Sequence, residues 1–162
     1  MKKIEKKRVL FVCLGNICRS PTAHGVFQDL LNITGLGAQV VVDSAGTAAF
    51  HIGKAPDSRS VAAAKQRGYD LSGLRARQVS AADFNRFDYI LAMDSSNLAN
   101  LEALCPDDYR GHLGLFLDFT ALEGHEVPDP YYGGQNGFDH VLDLVESASE
   151  GLLCRLRKEI RS

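Results

Sequence analysis

The sequence has no tryptophan and only four cysteines among its 162 residues. The cysteines are Cys13, Cys18, Cys105 and Cys154, and their spacing matches neither a zinc motif nor a Cys-x-x-Cys redox pair. This pattern favours reduced thiols over a disulfide framework. We interpret Cys105 and Cys154 as packing residues, and no stretch approaches the roughly 20 apolar residues of a membrane span.

The sequence also lacks a strong excess of charge of either sign. It has 18 Lys and Arg residues and 20 Asp and Glu residues, which gives a net charge of −2. The charge balance therefore predicts neither a nucleic-acid partner nor a membrane partner. The basic start, Met1 to Arg8, has no apolar region like that of a signal peptide, so we expect a cytoplasmic protein. The length and the 45% hydrophobic content predict a single globular domain over residues 1–162.

The informative stretch is Val-Cys-Leu-Gly-Asn-Ile-Cys-Arg-Ser-Pro at positions 12–21. β-forming residues precede it, and Ser20 with Pro21 resembles a helix start, with Ser20 as the cap and Pro21 as the first helical residue. Gly15 and Asn16 tolerate positive φ, so a tight strand-to-helix loop is expected. The backbone N–H groups of such a loop point inward beside the positive end of the helix dipole, which favours a bound anion of phosphate size.

Cys13 lies at the bottom of this predicted anion site, and Arg19 lies at its rim. The setting that binds a phosphate also favours the thiolate form of a cysteine, which is the nucleophilic form. The planar guanidinium of Arg19 matches two phosphate oxygens. A nucleophile and an oxyanion cradle in one loop predict attack on a tetrahedral anion. The predicted phosphate-binding residues are Leu14, Gly15, Asn16, Ile17, Cys18, Arg19 and Ser20.

The rest of the chain alternates strands with helices. Apolar runs predict strands near residues 9–12, 40–42, 89–93 and 113–116, and helices are expected over 22–33, 57–67, a short segment after Ser80, 94–104 and from about 137 onward. This order predicts an α/β three-layer domain with a parallel sheet. Ligands of such sheets bind beyond the carboxyl ends of the strands, where Cys13, Ser44, Phe50 and Asp94 can converge.

A second candidate group lies in the long predicted loop 118–136. Its segment Val-Pro-Asp-Pro-Tyr-Tyr-Gly-Gly holds Asp129 between two prolines, which fix the backbone. A carboxylate held in this way suits a general acid that protonates the leaving group and later takes a proton from water. The neighbouring Tyr131 and Tyr132 are interpreted as walls of a substrate cleft.

Both segments, and the chain from about Val9 to the last helix, resemble the low-molecular-weight protein tyrosine phosphatases. The resemblance implies a four-stranded parallel sheet with the phosphate loop after the first strand, and no metal or cofactor. It implies a phosphocysteine intermediate, with Cys13 as nucleophile, Arg19 as phosphate clamp and Asp129 as acid and then base. The implied supporting residues are Ser20, Asn16 with Ser44 as its partner, and Asp94, and the implied cleft residues are Ile17, Phe50, Tyr131 and Tyr132.

The resemblance also implies a phosphotyrosine-containing protein as the substrate, and we expect a monomer or a weak dimer. Cys18 lies five residues after Cys13 across a curved loop, so we expect it to act as a resolving thiol when Cys13 is oxidised. One departure concerns the segment Ser72 to Gln78. Many family members carry a supporting histidine before Ala-Arg-Gln, and this sequence has none there.

Three alternatives remain open on the same loop. Thiol-dependent arsenate reduction needs two further relay cysteines, whereas Met93 occupies the strand end and Cys105 stands alone. Protein-arginine phosphatases tend to have threonine where this chain has Ile17. A phosphotyrosine-binding module without activity would lack the nucleophile or the acid, and both are present.

Overall fold

The computed structural model describes residues 6–120, 126–130 and 136–161. Four strands form one parallel sheet in the order β2-β1-β3-β4: β1 is Lys7–Cys13, β2 is Val40–Gly46, β3 is Tyr89–Ala92 and β4 is His112–Leu115. The sequence prediction of an α/β fold with a four-stranded parallel sheet is confirmed. β3 ends one residue earlier than predicted. β4 has the predicted length but lies one residue earlier in the sequence.

Helices cover both faces of this sheet. They are α1, Arg19–Ile33; α2, Ser58–Gln66; α3, Ser95–Leu104; and α4, Asn136–Arg161; with 3₁₀ helices at Ala81–Asn85 and Phe116–Phe119. Val9 and Phe11 of β1 pack in the core on the side of α1 and α4, whereas Leu10 and Val12 pack on the side of α3. This alternation follows from the two-residue period of a strand. Among the described residues, no helix is long and apolar enough to cross a membrane.

Local capping signals explain where two of these helices begin. Asp57 accepts a hydrogen bond from the Arg59 backbone N–H, and Asp94 accepts one from the Asn97 backbone N–H, so each carboxylate satisfies a donor of the first turn. The predicted short helix after Ser80 begins with a capping box that Ser80 forms with Asp83. α3 therefore starts directly after β3, at the carboxyl edge of the sheet.

The topology also determines where a ligand can bind. The chain leaves β1 toward β2 on one side, and β3 lies on the other side of β1. Crossovers in opposite directions open a crevice at the carboxyl end of β1, which is a topological switch point. Cys13 is the last residue of β1, so it lies in this crevice.

Candidate active site

The sulfur of Cys13 is surrounded by donors of the loop that follows β1. The Ser20 Oγ lies 3.0 Å from the Cys13 Sγ, and the Asn16 backbone N–H donates to the same sulfur over 3.3 Å. A thiolate carries no proton, so Ser20 must be the donor when Cys13 is ionised. Both contacts thus direct a donor at the sulfur, where it can stabilise negative charge that develops during a reaction.

Asn16 maintains the shape of this loop. It has a φ of 57° and is buried, with its Nδ2 donating to the Ser20 Oγ over 2.7 Å and its Oδ1 accepting the Arg77 backbone N–H over 3.1 Å. The Asn16 amide donates to the Ser20 oxygen, so the one hydroxyl hydrogen of Ser20 is shared between the Cys13 sulfur at 3.0 Å and the Ala45 carbonyl oxygen at 3.3 Å. Asparagine suits the position because its side chain tolerates left-handed backbone.

The end of β2 packs against the loop that follows β1. A Cβ at Gly46 would lie 2.7 Å from the Leu14 carbonyl oxygen and 3.1 Å from the Asn16 nitrogen, so only glycine fits there. Thr47 N–H donates to the Cys13 carbonyl and Ala48 N–H donates to the Leu14 carbonyl, each over 2.9 Å. The loop is thus fixed from its neighbour strand as well as by its own side chains.

Arg19 is the first residue of α1, and its side chain is only 3% exposed. Its Nη1 donates to the Asp94 Oδ2 over 2.6 Å and to the Val127 carbonyl oxygen over 3.1 Å. Burial opposes the charge on Arg19, but Cys13 and Asp94 outweigh this effect and raise the pKa of the guanidinium above its ordinary value. Asp94 therefore has two tasks, since it also caps α3.

Asp129, in the segment 126–130, lies close to the Arg19 guanidinium. Its Oδ2 lies 3.8 Å from the Arg19 Nη2, and its side chain is 31% exposed. Val127 fixes this segment, because its N–H donates to the Met93 carbonyl over 2.7 Å while its own carbonyl accepts from Arg19. A carboxylate, a guanidinium and a thiol thus face one another around a single crevice.

These groups line one cavity of about 320 Å³. Its floor and rim include Cys13, Arg19 and Asp129 together with Leu14, Gly15, Ile17, Cys18, Phe50 and His51. Phe50 is 72% exposed at the mouth, and its ring meets the ring of His51 edge-on, with 6.4 Å between the ring centroids. The cavity combines an anion cradle with an apolar and aromatic entrance.

Comparison with known proteins identifies the family. Residues 8–162 match the family profile described as "Low molecular weight phosphotyrosine protein phosphatase". The chain belongs to this family.

Individual relatives agree with this assignment. The chain is 46% identical over 142 residues to the low molecular weight phosphotyrosine protein phosphatase of Schizosaccharomyces pombe, covering 86% of this chain and 90% of the relative. A crystal structure of a protein tyrosine phosphatase from Entamoeba histolytica, with Hepes in its active site, has a TM-score of 0.92 at 42% identity, covering 95% of this chain and 99% of that one.

A third similar protein is named for a different activity. The crystal structure of a Drosophila arginine phosphatase has a TM-score of 0.85 at 34% identity, covering 91% of this chain and 96% of that one. The two solved structures share the fold of this chain but are named for different phosphorylated side chains.

Within this phosphatase fold, the predicted pairing of Asn16 with Ser44 is wrong. The Ser44 Oγ lies 2.9 Å from the His24 Nδ1 of α1, and Asn16 bonds Ser20 and the Arg77 backbone instead. Burial lowers the pKa of His24, although Asp43 opposes this shift. Ser44 thus ties β2 to α1 rather than bracing the phosphate loop directly.

The helix start after the phosphatase loop also differs from the sequence prediction. α1 begins at Arg19, so Ser20 and Pro21 are its second and third residues rather than its cap and first residue. Cys18 occupies the cap position without a side-chain cap bond. The Ser20 hydroxyl points to Cys13 instead, which is why it does not cap the helix.

Two further positions complete the site of this family member. The Arg77 backbone N–H braces Asn16, and the Arg77 side chain is in turn bound by Asp43 and Asp83. His51 lines the cavity, and the only sequence signal for it was its place beside Phe50. The predicted cleft residues Tyr131 and Tyr132 lie outside the described residues.

Proposed function

We propose that this chain is a protein tyrosine phosphatase that hydrolyses phosphotyrosine and other aryl phosphate monoesters through a phosphocysteine. One observation carries the proposal: the Cys13 sulfur, the Arg19 guanidinium and the Asp129 carboxylate line the same cavity of about 320 Å³. Two of the relatives described above, from Schizosaccharomyces pombe and Entamoeba histolytica, carry this activity in their names.

In the first step, the Cys13 thiolate attacks phosphorus, an S–P bond forms and the P–O bond to the aryl group breaks. Asp129 gives its proton to the departing phenolate oxygen. Arg19 stabilises the charge on the phosphoryl oxygens, and its Nε and Nη2 present a fork to two of them. Asp94 and Val127 hold the Nη1, so the guanidinium is oriented before substrate binds.

In the second step, a water oxygen attacks phosphorus and gives its proton to Asp129. The P–S bond breaks, orthophosphate forms and the Cys13 thiolate returns. The Ser20 hydroxyl and the Asn16 N–H stabilise that leaving thiolate, because both already bond the sulfur in the free enzyme. No metal or cofactor takes part in either step.

The test compares Cys13→Ser with Cys154→Ser, which removes an exposed thiol on α4. Cys13→Ser should abolish turnover of p-nitrophenyl phosphate while phosphate binding, measured by calorimetry, persists through the loop backbone and Arg19. Cys154→Ser should retain wild-type turnover. Activity of Cys13→Ser within tenfold of the wild type would overturn the assignment of the nucleophile.

A second candidate is phosphoarginine hydrolysis, because a structure with a TM-score of 0.85 is an arginine phosphatase. Ile17 favours the tyrosine substrate, since this half-buried apolar side chain lines the cavity where a charged guanidinium would need a polar partner. Matched peptides with phosphotyrosine, phosphoarginine or phosphoserine should give the highest kcat/KM for phosphotyrosine. Arsenate should not be reduced, and a higher kcat/KM for phosphoarginine would reverse the order of the two candidates.

We also propose that Cys18 resolves an oxidised Cys13. Burial raises the pKa of Cys18 to about 12, so Cys18 stays a thiol. Peroxide would convert the Cys13 thiolate to a sulfenic acid, and the Cys18 sulfur would then form the disulfide and release water. After peroxide, dithiothreitol should restore the wild type but little of Cys18→Ser. Equal recovery of both proteins would leave Cys18 as a packing residue.

We also propose the substrate, the compartment and the oligomeric state that the sequence led us to expect. The substrate is a phosphotyrosine-containing protein, the chain acts in the cytoplasm, and it is a monomer or a weak dimer. Phosphoprotein substrates agree with the family to which the chain belongs. Substrate trapping with Cys13→Ser in a cell extract would identify the phosphoproteins that it retains.

A further inference from the structure

A second cavity of about 570 Å³ lies at the opposite edge of the sheet from the phosphate loop. It opens where β1, β3 and β4 begin, and its lining includes Arg8 of β1, Asp88 just before β3 and Gly111 just before β4. β1 runs from this edge to Cys13, a distance of about 20 Å at the usual rise per residue. The cavity is therefore separate from the candidate active site.

Four cations line this distal cleft: Lys6, Arg8, Arg86 and Arg110. All four are exposed, and no described carboxylate is in ion-pair contact with any of them. Other arginines do have such contacts with carboxylates, namely Arg19, Arg59, Arg67, Arg77 and Arg155. In a chain of net charge −2, this cleft concentrates unpaired positive charge.

Asp88 is the one carboxylate that lines the cleft, and its position is fixed by the backbone. Its Oδ2 accepts the Arg8 backbone N–H over 2.9 Å, and its own N–H donates to the Arg8 carbonyl over 2.9 Å. This reciprocal pair ties the start of β1 to the start of β3. The charge of Asp88 lowers the positive potential of the cleft without pairing with a guanidinium.

The Tyr109 side chain forms a wall of the cleft and is held in place by its neighbours. The Tyr109 hydroxyl donates to the Phe87 carbonyl over 2.9 Å, and the Tyr109 ring packs edge-on against the buried Phe84 with 5.0 Å between centroids. A Cβ at Gly111 would lie 2.2 Å from the Tyr109 oxygen, so glycine leaves the space that the ring occupies. The cavity is thus present before any ligand arrives.

We infer that this distal cleft binds a small compound with several linked phosphates, such as inorganic tripolyphosphate or a nucleoside triphosphate. Three or more negative charges are needed to engage four cations spread around one cavity, and a triphosphate chain fits within 570 Å³. Orthophosphate satisfies fewer of the cations and prefers the phosphate loop.

Amide NMR spectra of the whole protein distinguish the two sites. Tripolyphosphate should shift the signals of Arg8, Asp88 and Arg110 at micromolar concentration, and orthophosphate should shift them only at concentrations at least tenfold higher. Raising the salt concentration should weaken the tripolyphosphate effect, because exposed charges are screened. An ATP titration shows whether the cleft also admits a nucleoside: shifts at the same three amides extend the ligand class, whereas shifts with tripolyphosphate alone restrict it to inorganic chains.

Three variants test which charges are responsible. Arg86→Gln with Arg110→Gln should weaken tripolyphosphate binding at the cleft at least tenfold, whereas Lys65→Gln on α2 should not change it. Asp88→Asn keeps an acceptor for Arg8 and removes the opposing charge, so it should tighten binding severalfold. Unchanged affinity in both the double variant and Asp88→Asn, or shifts confined to the loop 13–20, would overturn the inference.

Discussion

Replacing Ser20 by alanine tests how the phosphate loop supports the Cys13 thiolate. The variant removes the donor that lies 3.0 Å from the sulfur, and it leaves the Asn16 Nδ2 without the acceptor that it has at 2.7 Å. A hydrogen bond to a charged group contributes about 1.5–3 kcal/mol. Because about 1.4 kcal/mol corresponds to a factor of ten, steps in which negative charge develops on the sulfur should slow about 10- to 100-fold.

The assay is alkylation of the loop thiol by iodoacetate as a function of pH, read together with burst kinetics on p-nitrophenyl phosphate. Ser20→Ala should be alkylated more slowly than the wild type near neutral pH, because a thiolate is the reacting form. It should also slow hydrolysis of the phosphoenzyme, in which the thiolate is the leaving group.

Thr22→Val is the matched control, since it removes another buried hydroxyl of the same helix that bonds the Cys18 carbonyl over 2.7 Å and not the sulfur. Both variants should lower the free energy of unfolding by about 1–2 kcal/mol. Only Ser20→Ala should change the alkylation profile. An identical profile in Ser20→Ala and the wild type would refute the reasoning about the thiolate.

Three other predictions concern the clamp, the acid and the pH dependence of stability. Arg19→Lys should reduce kcat/KM at least 100-fold, because an ammonium group cannot make the two-point contact; near-normal kinetics would exclude the clamp. Asp129→Ala should slow the burst phase more for phosphotyrosine than for p-nitrophenyl phosphate, whose phenoxide leaves without a proton; equal losses would place the acid elsewhere. Burial lowers the pKa of His24 and His112, so below about pH 6.5 the unfolded chain binds protons that the folded protein rejects. The free energy of unfolding should therefore fall from pH 7 to pH 5 in urea titrations, and His24→Gln should make this fall shallower.

Signals that act within a few residues could be predicted from the sequence. Asp57 and Asp94 cap the helices that the sequence predicts over 57–67 and 94–104, and such a capping bond joins residues only two or three positions apart. Gly35 and Gly68 have positive φ just after α1 and α2, where the sequence predicts that the helices end. The order of strands and helices then determined the sheet and the edge where Cys13 lies.

Contacts between distant parts of the chain could not be predicted in the same way. Asn16 meets the backbone of Arg77, 61 positions away, and Ser44 meets His24, whereas the sequence favoured a direct bond between Asn16 and Ser44. Every residue except proline has a backbone N–H, so the identity of the donor residue does not reveal that a distant side chain accepts from it. His51 was missed for a related reason, because a single histidine in a loop has no spacing that indicates a cavity wall.

The double attachment of Val127 restricts how the proton donor can move. Asp129 follows Val127 by two residues, so its Cα stays within about 7 Å of the Val127 Cα, the length of two extended residues. Such a short tether excludes a large opening swing about Val127 while its bonds to Met93 and Arg19 remain. We expect no exchange broadening on the microsecond-to-millisecond timescale at the Val127 amide in relaxation-dispersion spectra. Bond cleavage or phosphoenzyme hydrolysis, rather than closure of this segment, should then limit turnover.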